Sequence, residues 1–240
     1  MSVTLRGFVM LGTTVPEPSR KENRTYVCSA GWHPDLGLIR IYPLAMRDVP
    51  QRWHVYDVTV ERNQKDNRAE SWRLAGDRRD PYANHQFHPV GKWSRSDQES
   101  LTSLCEPTTI AKANERRASL ALVRPESLEF ELEANMDSPD SPQLSLFDAN
   151  LPPLEGAKRF PLIPRLKFHD GSAHRLMLRD WGAYEFMRKY PGRERDLPSG
   201  LHLGPRSVLL VGNQNNQRNA WLVISVLNID SGQLTLQESA

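Results

Sequence analysis

The stretch LGLIRIYPL at 36–44 decides the fold because its side chains alternate. Successive side chains of an extended strand point to opposite faces. The alternation gives one face two isoleucines and the other face three larger or charged residues: Ile39 and Ile41 against Leu38, Arg40 and Tyr42. The preceding HPDLG at 33–37 supplies turn residues. Together the two stretches predict a β-hairpin.

Similar β-type stretches recur along the chain. They are VTLRGFVML at 3–11, TYVCSAG at 25–31, WHVYDVTVE at 53–61, SLALVRPESLEFELE at 119–133, RFPLIPRLKFHDGSAHRLMLRDW at 159–181, SVLLVG at 207–212 and AWLVISVLNI at 220–229. Two stretches indicate short helices: SDQESLTSLCE at 96–106, which begins with a Ser-x-x-Glu capping signature, and AYEFMRKY at 183–190. Residues 75–97 contain few aliphatic side chains and are predicted to form loops.

An acidic, proline-rich stretch separates the two β-rich parts. Residues 126–157 hold eight acidic residues and no Lys or Arg, whereas 158–206 carry eleven basic residues against five acidic ones. Prolines at 139, 142, 152 and 153 prevent a long element there. We therefore predict an N-terminal domain at 1–133, a flexible acidic linker at 134–158 and a C-terminal domain at 159–240.

The fold predicted from these elements is mainly β. Two small OB-like β-barrels joined by the acidic linker, with one or two short helices, account for the order of the strands.

Composition excludes several classes of protein. The chain has 240 residues, 31 Lys plus Arg, 29 Asp plus Glu and two cysteines, with a net charge of +2. No apolar run approaches the ~20 residues of a membrane span, and no secretory signal is visible. Two cysteines are too few for a disulfide scaffold or an all-cysteine zinc site. We expect a cytoplasmic protein without cofactor or metal.

Catalytic signatures are weak. The sequence lacks GxxxxGK[ST], GxGxxG, HExxH and GxSxG. His169, Asp170 and His174 are interpreted as a turn with two surface histidines. An enzyme acting on nucleic acid or nucleotides with a divalent metal remains an alternative, and it would draw on Asp66, Glu70, His169 and Asp180.

Basic and aromatic residues are interleaved in both halves, which is typical of β-barrels that stack bases and track phosphates. We therefore predict a nucleic-acid surface, for DNA more than RNA. Its residues are Arg20, Lys21, Arg24, Trp32, Arg40, Tyr42, Arg47, Arg52, Arg175, Arg179 and Arg188.

One peptide in the acidic stretch is a candidate partner-binding site. Gln143, Leu144, Ser145, Leu146 and Phe147 resemble the pentapeptide with which bacterial polymerases and repair proteins bind the DNA sliding clamp. A clamp pocket takes the Leu-Phe pair as apolar anchors. The alternative is a short strand packing onto its own protein.

The order of short motifs resembles that of a bacterial family with two OB folds. In the first half the matches are Cys28, Gly31, LIRIYP at 38–43, Arg47, Tyr56-Asp57 and DNRAES at 66–71. In the second half they are Lys167-Phe168, His174, Asp180-Trp181, Gly212-Asn213 and Trp221. The resemblance implies two OB-like barrels, and it carries no established reaction or catalytic residue.

The leading hypothesis is a non-catalytic, nucleic-acid-binding accessory or recognition protein of bacterial DNA metabolism or phage defence, with a possible tether to the sliding clamp. A third hypothesis is an interaction module in a multi-protein complex, whose strand edges and linker bind protein only.

Overall fold

The computed structural model describes residues 2–19, 24–45, 49–76, 86–135, 160–204, 206–215 and 217–229. Its strands are β1 Ser2–Thr13, β2 Glu17–Ser19, β3 Arg24–His33, β4 Gly37–Ala45, β5 His54–Arg62, β6 Ser71–Leu74, β7 Phe87–Lys92, β8 Leu120–Val123, β9 Ser127–Ala134, β10 Leu162–His169, β11 Ala173–Met177, β12 Val208–Gln214 and β13 Gln217–Leu227. Its helices are α1 Arg95–Leu104, α2 Ile110–Glu115, α3 Trp181–Lys189 and α4 Leu197–Gly200.

The first barrel is a closed five-stranded sheet. Its order is β1-β3-β4-β6-β5, and β5 closes the circle by pairing with β1. Only the β4–β6 pair is parallel among these neighbours. This is the Greek-key order of an OB barrel. Ile39 and Ile41 point into its core beside Phe8, Met10 and Val58, and the alternation at 36–44 had placed these two isoleucines on one face.

The second half repeats this order with a broken first strand. β8 pairs with β12, and β9, which follows β8 after a short break at Pro125, pairs with β10. β10 pairs with β11, β12 pairs with β13, and a parallel bridge from Leu178 to Val223 links the two sheets. Helix α3 lies between β11 and β12 in the chain. The prediction of a mainly β protein with OB-like barrels is confirmed.

The connections differ from the predicted ones in three places. Residues 75–97 were predicted to be loops, but they contain β7, whose Phe87 is buried against Tyr56. The first helix is capped by Ser94 and Asp97 rather than by a motif starting at residue 96. Four short α-helices lie within the described ranges instead of one or two.

The predicted acidic linker at 134–158 begins at the last residue of strand β9 and ends before strand β10, and these two strands pair with each other. Ala134 lies opposite Leu162, and Ser127 lies opposite His169. Residues 136–159 thus connect neighbouring strands of one sheet, although they lie outside the described residues. The division into domains stays a prediction, and this pairing leads us to propose the boundary between α2 and β8 instead of after residue 133.

The two barrels pack directly on each other through an apolar interface. The first barrel contributes Val9, Leu11, Ala30 and Trp32, and the second contributes Leu120, Leu122, Val208, Leu210, Ile224 and Leu227. Strand β1 approaches β13 so closely that a Cβ atom at Gly12 would lie 2.5 Å from the Ser225 Cβ atom. Each Å² of apolar surface that this contact removes from water stabilises it by about 25 cal/mol.

One buried carboxylate ties the barrels together at the edge of this interface. The Asp180 side chain is fully buried and accepts hydrogen bonds from Arg52 at 2.7 Å and from the Ser225 hydroxyl at 2.8 Å. It also caps helix α3 by accepting from the Gly182 backbone N–H at 2.7 Å. Asp180 therefore serves the fold in three ways at once.

No helix in the described ranges is long and apolar enough to cross a membrane.

Replacing Asp180 by alanine should lower the free energy of unfolding by about 3 kcal/mol, because it leaves buried donors unpaired and removes a helix cap. Urea unfolding at pH 7 measures this change. The matched control is Asp196→Ala, which removes an exposed carboxylate paired with Arg193 and should change stability by no more than about 0.5 kcal/mol. Equal effects of the two substitutions would contradict the assigned role.

Candidate nucleic-acid interface

Part of the predicted site lies outside the described residues. This holds for Arg20, Lys21 and Arg47 and for the whole peptide from Gln143 to Phe147, and the side chain of Arg24 is likewise not described. The binding roles of these residues stay predictions.

Trp32 and Arg40 lie in the contact between the barrels rather than on a free surface. Trp32 is 9% exposed and packs against Trp93, and Arg40 is 2% exposed. The Arg40 Nη2 atom donates to the Ser119 carbonyl at 3.0 Å. Burial lowers the pKa of Arg40 because it penalises the charged form. In this structure neither side chain is open to a ligand.

Arg52 and Arg179 also make contacts between the halves of the chain. Arg52 bonds to Asp180 and to the Val226 carbonyl at 3.2 Å. Arg179 is ion-paired with Glu17 of strand β2, and burial lowers its pKa. Both guanidinium groups are therefore already engaged with acceptors of the protein itself.

The outward face of the second barrel carries an ion-pair ladder. Arg175 pairs with Glu131 at 2.8 Å and with Glu133 at 2.5 Å, Arg165 pairs with Glu133 at 2.6 Å, and Lys167 pairs with Glu131. Hydrogen bonds from Lys167 and Arg175 lower the pKa of Glu131, so these carboxylates stay charged. A phosphate approaching this face would meet glutamates beside every cation.

The two other predicted residues lie apart from this ladder. Arg188 pairs with Glu185 of the same helix through two hydrogen bonds at 2.9 and 2.8 Å. Tyr42 is 41% exposed on strand β4. The structure therefore brings Trp32, Arg40 and Arg52 to the interface between the barrels, but it does not join the described members of the set into one groove.

A different surface forms where the loop between β5 and β6, residues 63–70, meets the turn between β12 and β13. The Asn215 side-chain amide donates to the Lys65 carbonyl at 3.2 Å, and an Arg218 Nη2 atom donates to the Asn67 Oδ1 atom at 3.3 Å. When the five strands of each barrel are counted in chain order, β5 and β12 are the fourth strands and β6 and β13 are the fifth. Both segments therefore connect the fourth strand of a barrel to its fifth. In OB folds this connection is one of the loops that bind oligonucleotides.

An internal brace holds the first loop in place. The Asp66 carboxylate is buried and accepts hydrogen bonds from Arg68 at 2.8 and 2.5 Å and from the Ser71 hydroxyl at 2.6 Å. Arg68 reaches across the interface to the Asn213 carbonyl at 2.6 Å. Burial alone would raise the pKa of Asp66, but the hydrogen bonds from Arg68 and Ser71 outweigh it and lower the pKa.

Glu70 fastens the same loop to the second barrel. Its carboxylate accepts from the Ser119 backbone N–H at 2.8 Å and from the Ser119 hydroxyl at 2.9 Å. Ser119 is the last residue of the segment that leads from α2 into β8, and it follows Arg116, Arg117 and Ala118 directly. The loop positions thus follow from contacts between the barrels rather than from either barrel alone.

The surface built in this way, which we call the loop edge, consists of residues 63–70, 114–118, 214–215 and 217–219. It carries five cations, Lys65, Arg68, Arg116, Arg117 and Arg218, against three carboxylates. Asp66 and Glu70 are already bonded internally, whereas Lys65 and Arg218 are exposed. Exposed amides lie between the cations: Gln64, Asn67, Gln214 and Gln217. The loop edge thus combines free positive charge with groups that both donate and accept hydrogen bonds.

Sequence reasoning missed the loop edge, although two signals for it were present. Lys65 directly precedes the acidic brace, and Arg218 is the only charged residue in the loop NQNNQRN at 213–219. Neither segment shows the interleaving of aromatic and basic residues on which the prediction was based. The two segments lie about 150 residues apart in the sequence, and only the packing of the barrels brings them together.

The residues of the enzyme alternative are each engaged in contacts within the protein. Asp66 and Asp180 hold the contacts described above, Glu70 bonds to Ser119, and His169 pairs with Glu126 at 2.7 Å. Within the described ranges no group of three His, Cys, Asp or Glu side chains could hold a metal ion.

The predicted turn around Asp170 has a structural role. Asp170 is buried, pairs with His174 at 2.7 Å and accepts from the backbone N–H of Ile110 at 2.8 Å. This contact fixes the start of helix α2 on the β10–β11 turn.

Comparisons with known proteins add a family match and one distant structural similarity. A family model described as a domain of unknown function (DUF8758) matches residues 6–100, which contain most of the first barrel. No curated protein matches the chain. A crystal structure of the tetrameric p202 HIN2 is similar over 93% of this chain and 89% of that chain, at 7% identity and a TM-score of 0.33. A similarity this weak contributes nothing to the assignment of function.

Replacing Asp66 by asparagine should reduce the dependence of stability on pH. A carboxylate with a lowered pKa contributes stability above its unfolded pKa of about 3.9, and that contribution is lost as pH falls through the folded pKa. The free energy of unfolding should therefore drop less between pH 7 and pH 3 in the variant than in the native protein. Urea unfolding at the two pH values, with Asp196→Asn as control, measures the difference. An unchanged drop would contradict the brace.

Proposed function

We propose that the protein binds nucleic acid along the loop edge. The observation that carries the proposal is the meeting of two OB-type loops, one from each barrel, in a surface with exposed cations. Each loop alone offers a small contact, whereas the joined edge spans both barrels. A strand of nucleic acid lying along it would touch both loops at once.

The distribution of charge supports this location over the other faces. The part of the β3–β4 face that holds Trp32 and Arg40 is covered by the second barrel. The outward face of β9, β10 and β11 is neutralised by its glutamates. Phosphates bind where cations are not already paired, and Lys65 and Arg218 on the loop edge have no ion pair within the described ranges.

We propose that the protein binds nucleic acid without catalysing a reaction on it. The protein would act as an accessory or recognition factor in bacterial DNA metabolism or phage defence, an assignment that rests on the family resemblance of the sequence alone. A metal-dependent enzyme and a module that binds only proteins are the alternatives. Oligonucleotide titration separates binding to nucleic acid from binding to protein only, and a cleavage assay with added Mg²⁺ separates binding from catalysis.

We also propose that the peptide from Gln143 to Phe147 tethers the protein to a sliding clamp. The segment that contains it leaves β9 and enters β10, and the hydrogen bond from the Asn135 N–H to the Pro161 carbonyl at 2.8 Å holds its two ends together. This hydrogen bond places both described ends of the segment, Asn135 and Pro161, on the second barrel. The peptide is far along the chain from both loops of the loop edge, so the two binding functions would be separable.

Removing two cations from the loop edge should weaken binding to nucleic acid. The double variant Lys65→Gln and Arg218→Gln should bind a single-stranded oligonucleotide more weakly at low salt. It should also reduce the slope of log K against log salt by about 0.7 for each lost phosphate contact. Fluorescence anisotropy over a series of salt concentrations measures both quantities.

The matched control removes two cations elsewhere, in Arg175→Gln and Arg188→Gln. Both residues belong to the set predicted from the sequence, and both are paired with glutamates. The control should keep the native affinity and slope. If the control loses affinity and the loop-edge variant does not, binding takes place on the predicted set. If the native protein binds no oligonucleotide at low salt, the proposed function is wrong.

Alanine at both Leu146 and Phe147 should abolish capture of the protein by an immobilised bacterial sliding clamp, because the apolar anchors of the peptide are lost. Affinity for oligonucleotides should stay unchanged in this variant. Capture that survives the double substitution would remove the tether from the account.

A further inference from the structure

The amide side chains near the β12–β13 turn fall into two groups. Asn213 and Asn215 are used internally: the Asn213 amide donates to the Arg218 carbonyl at 3.0 Å, and the Asn215 amide donates to the Lys65 carbonyl. Gln214 and Gln217 are exposed, and their amides bond to no residue in the part of the chain that the structure describes. Among the described residues of 213–219, two amides are therefore used internally, and Gln214, Gln217 and Asn219 are exposed to solvent.

The strand register places the two free amides together. Gln214 is the direct cross-strand partner of Gln217, whereas the preceding Asn213 is paired with Trp221. The shift leaves residues 218–220 of β13 opposite no residue of β12. Irregularities of this kind re-aim side chains and are common beside functional sites. Here the irregularity sets two adjacent glutamines at the tip of the turn, next to Arg218.

The chemistry of a glutamine amide fits a base edge better than a phosphate. The amide has one acceptor and two donors, so it can bond to adenine N6 and N7 at the same time. Phosphate oxygens only accept, and they are served by cations such as Lys65 and Arg218. Base edges are open to side chains in single strands, where no groove limits the approach.

We propose that Gln214 and Gln217 read the N6–N7 edge of adenine in a single strand that Lys65 and Arg218 hold by its phosphates. This inference rests on the proposed function and adds a ligand class to it. The amides supply preference for a base, and the cations supply affinity that does not depend on sequence.

The experiment compares two oligonucleotides of one mixed sequence, with adenine or with 7-deazaadenine at every adenine position. The analogue keeps charge and stacking surface but lacks the N7 acceptor. The native protein should bind the analogue about fivefold more weakly. The double variant Gln214→Met and Gln217→Met should bind both equally, with a salt slope equal to that of the native protein.

The control variant is Gln51→Met, which changes an exposed glutamine in another loop and should keep the fivefold preference. Equal binding of both oligonucleotides by the native protein would overturn the inference and leave the proposed function standing. A preference that survives the double methionine variant would also overturn it. If neither oligonucleotide binds the native protein, the proposed function and the inference are both wrong. Thermal unfolding of each variant confirms that the fold is intact.

Discussion

The direct contact between the two barrels is the constraint on which the rest of the structure depends. Apolar side chains of β1 and β3 pack against those of β8, β12 and β13. Asp180 joins the barrels at one side of this contact, and Glu70 and Arg68 join them at another. A connection of this kind fixes the relative orientation of the barrels far more firmly than a flexible linker would.

The same contact determines which surfaces remain available to a ligand. It covers part of the face of strands β3 and β4, a face that OB folds use as a binding platform, and it buries Arg40 there. The contact also brings the loop 63–70 and the β12–β13 turn together. These two segments would be far apart on separate barrels. The loop edge is therefore a product of the assembly, and its charge depends on how Asp66 and Glu70 are used internally.

The sequence predicted the strands well and their surroundings poorly. Alternation at 36–44 and 53–61 correctly identified β4 and β5 and placed Ile39 and Ile41 on one face, because successive side chains of a strand point to opposite faces. The same alternation grouped Arg40 with Tyr42, and both residues were predicted to bind nucleic acid. No residue of β4 indicates that the Arg40 guanidinium group bonds to the carbonyl of Ser119, about 80 residues downstream. For the same reason the two loops of the loop edge could not be brought together from the sequence, since Lys65 and Asn215 meet only after both barrels have packed.

Hydrogen–deuterium exchange with and without a bound single-stranded oligonucleotide tests the central claim, that packing of the barrels builds one binding edge, most directly. The account predicts slower exchange at backbone amides of both 63–68 and 214–219, with no change along strands β10 and β11. Protection along β10 and β11 with unchanged exchange in the two loops would contradict it, and so would protection of only one of the loops.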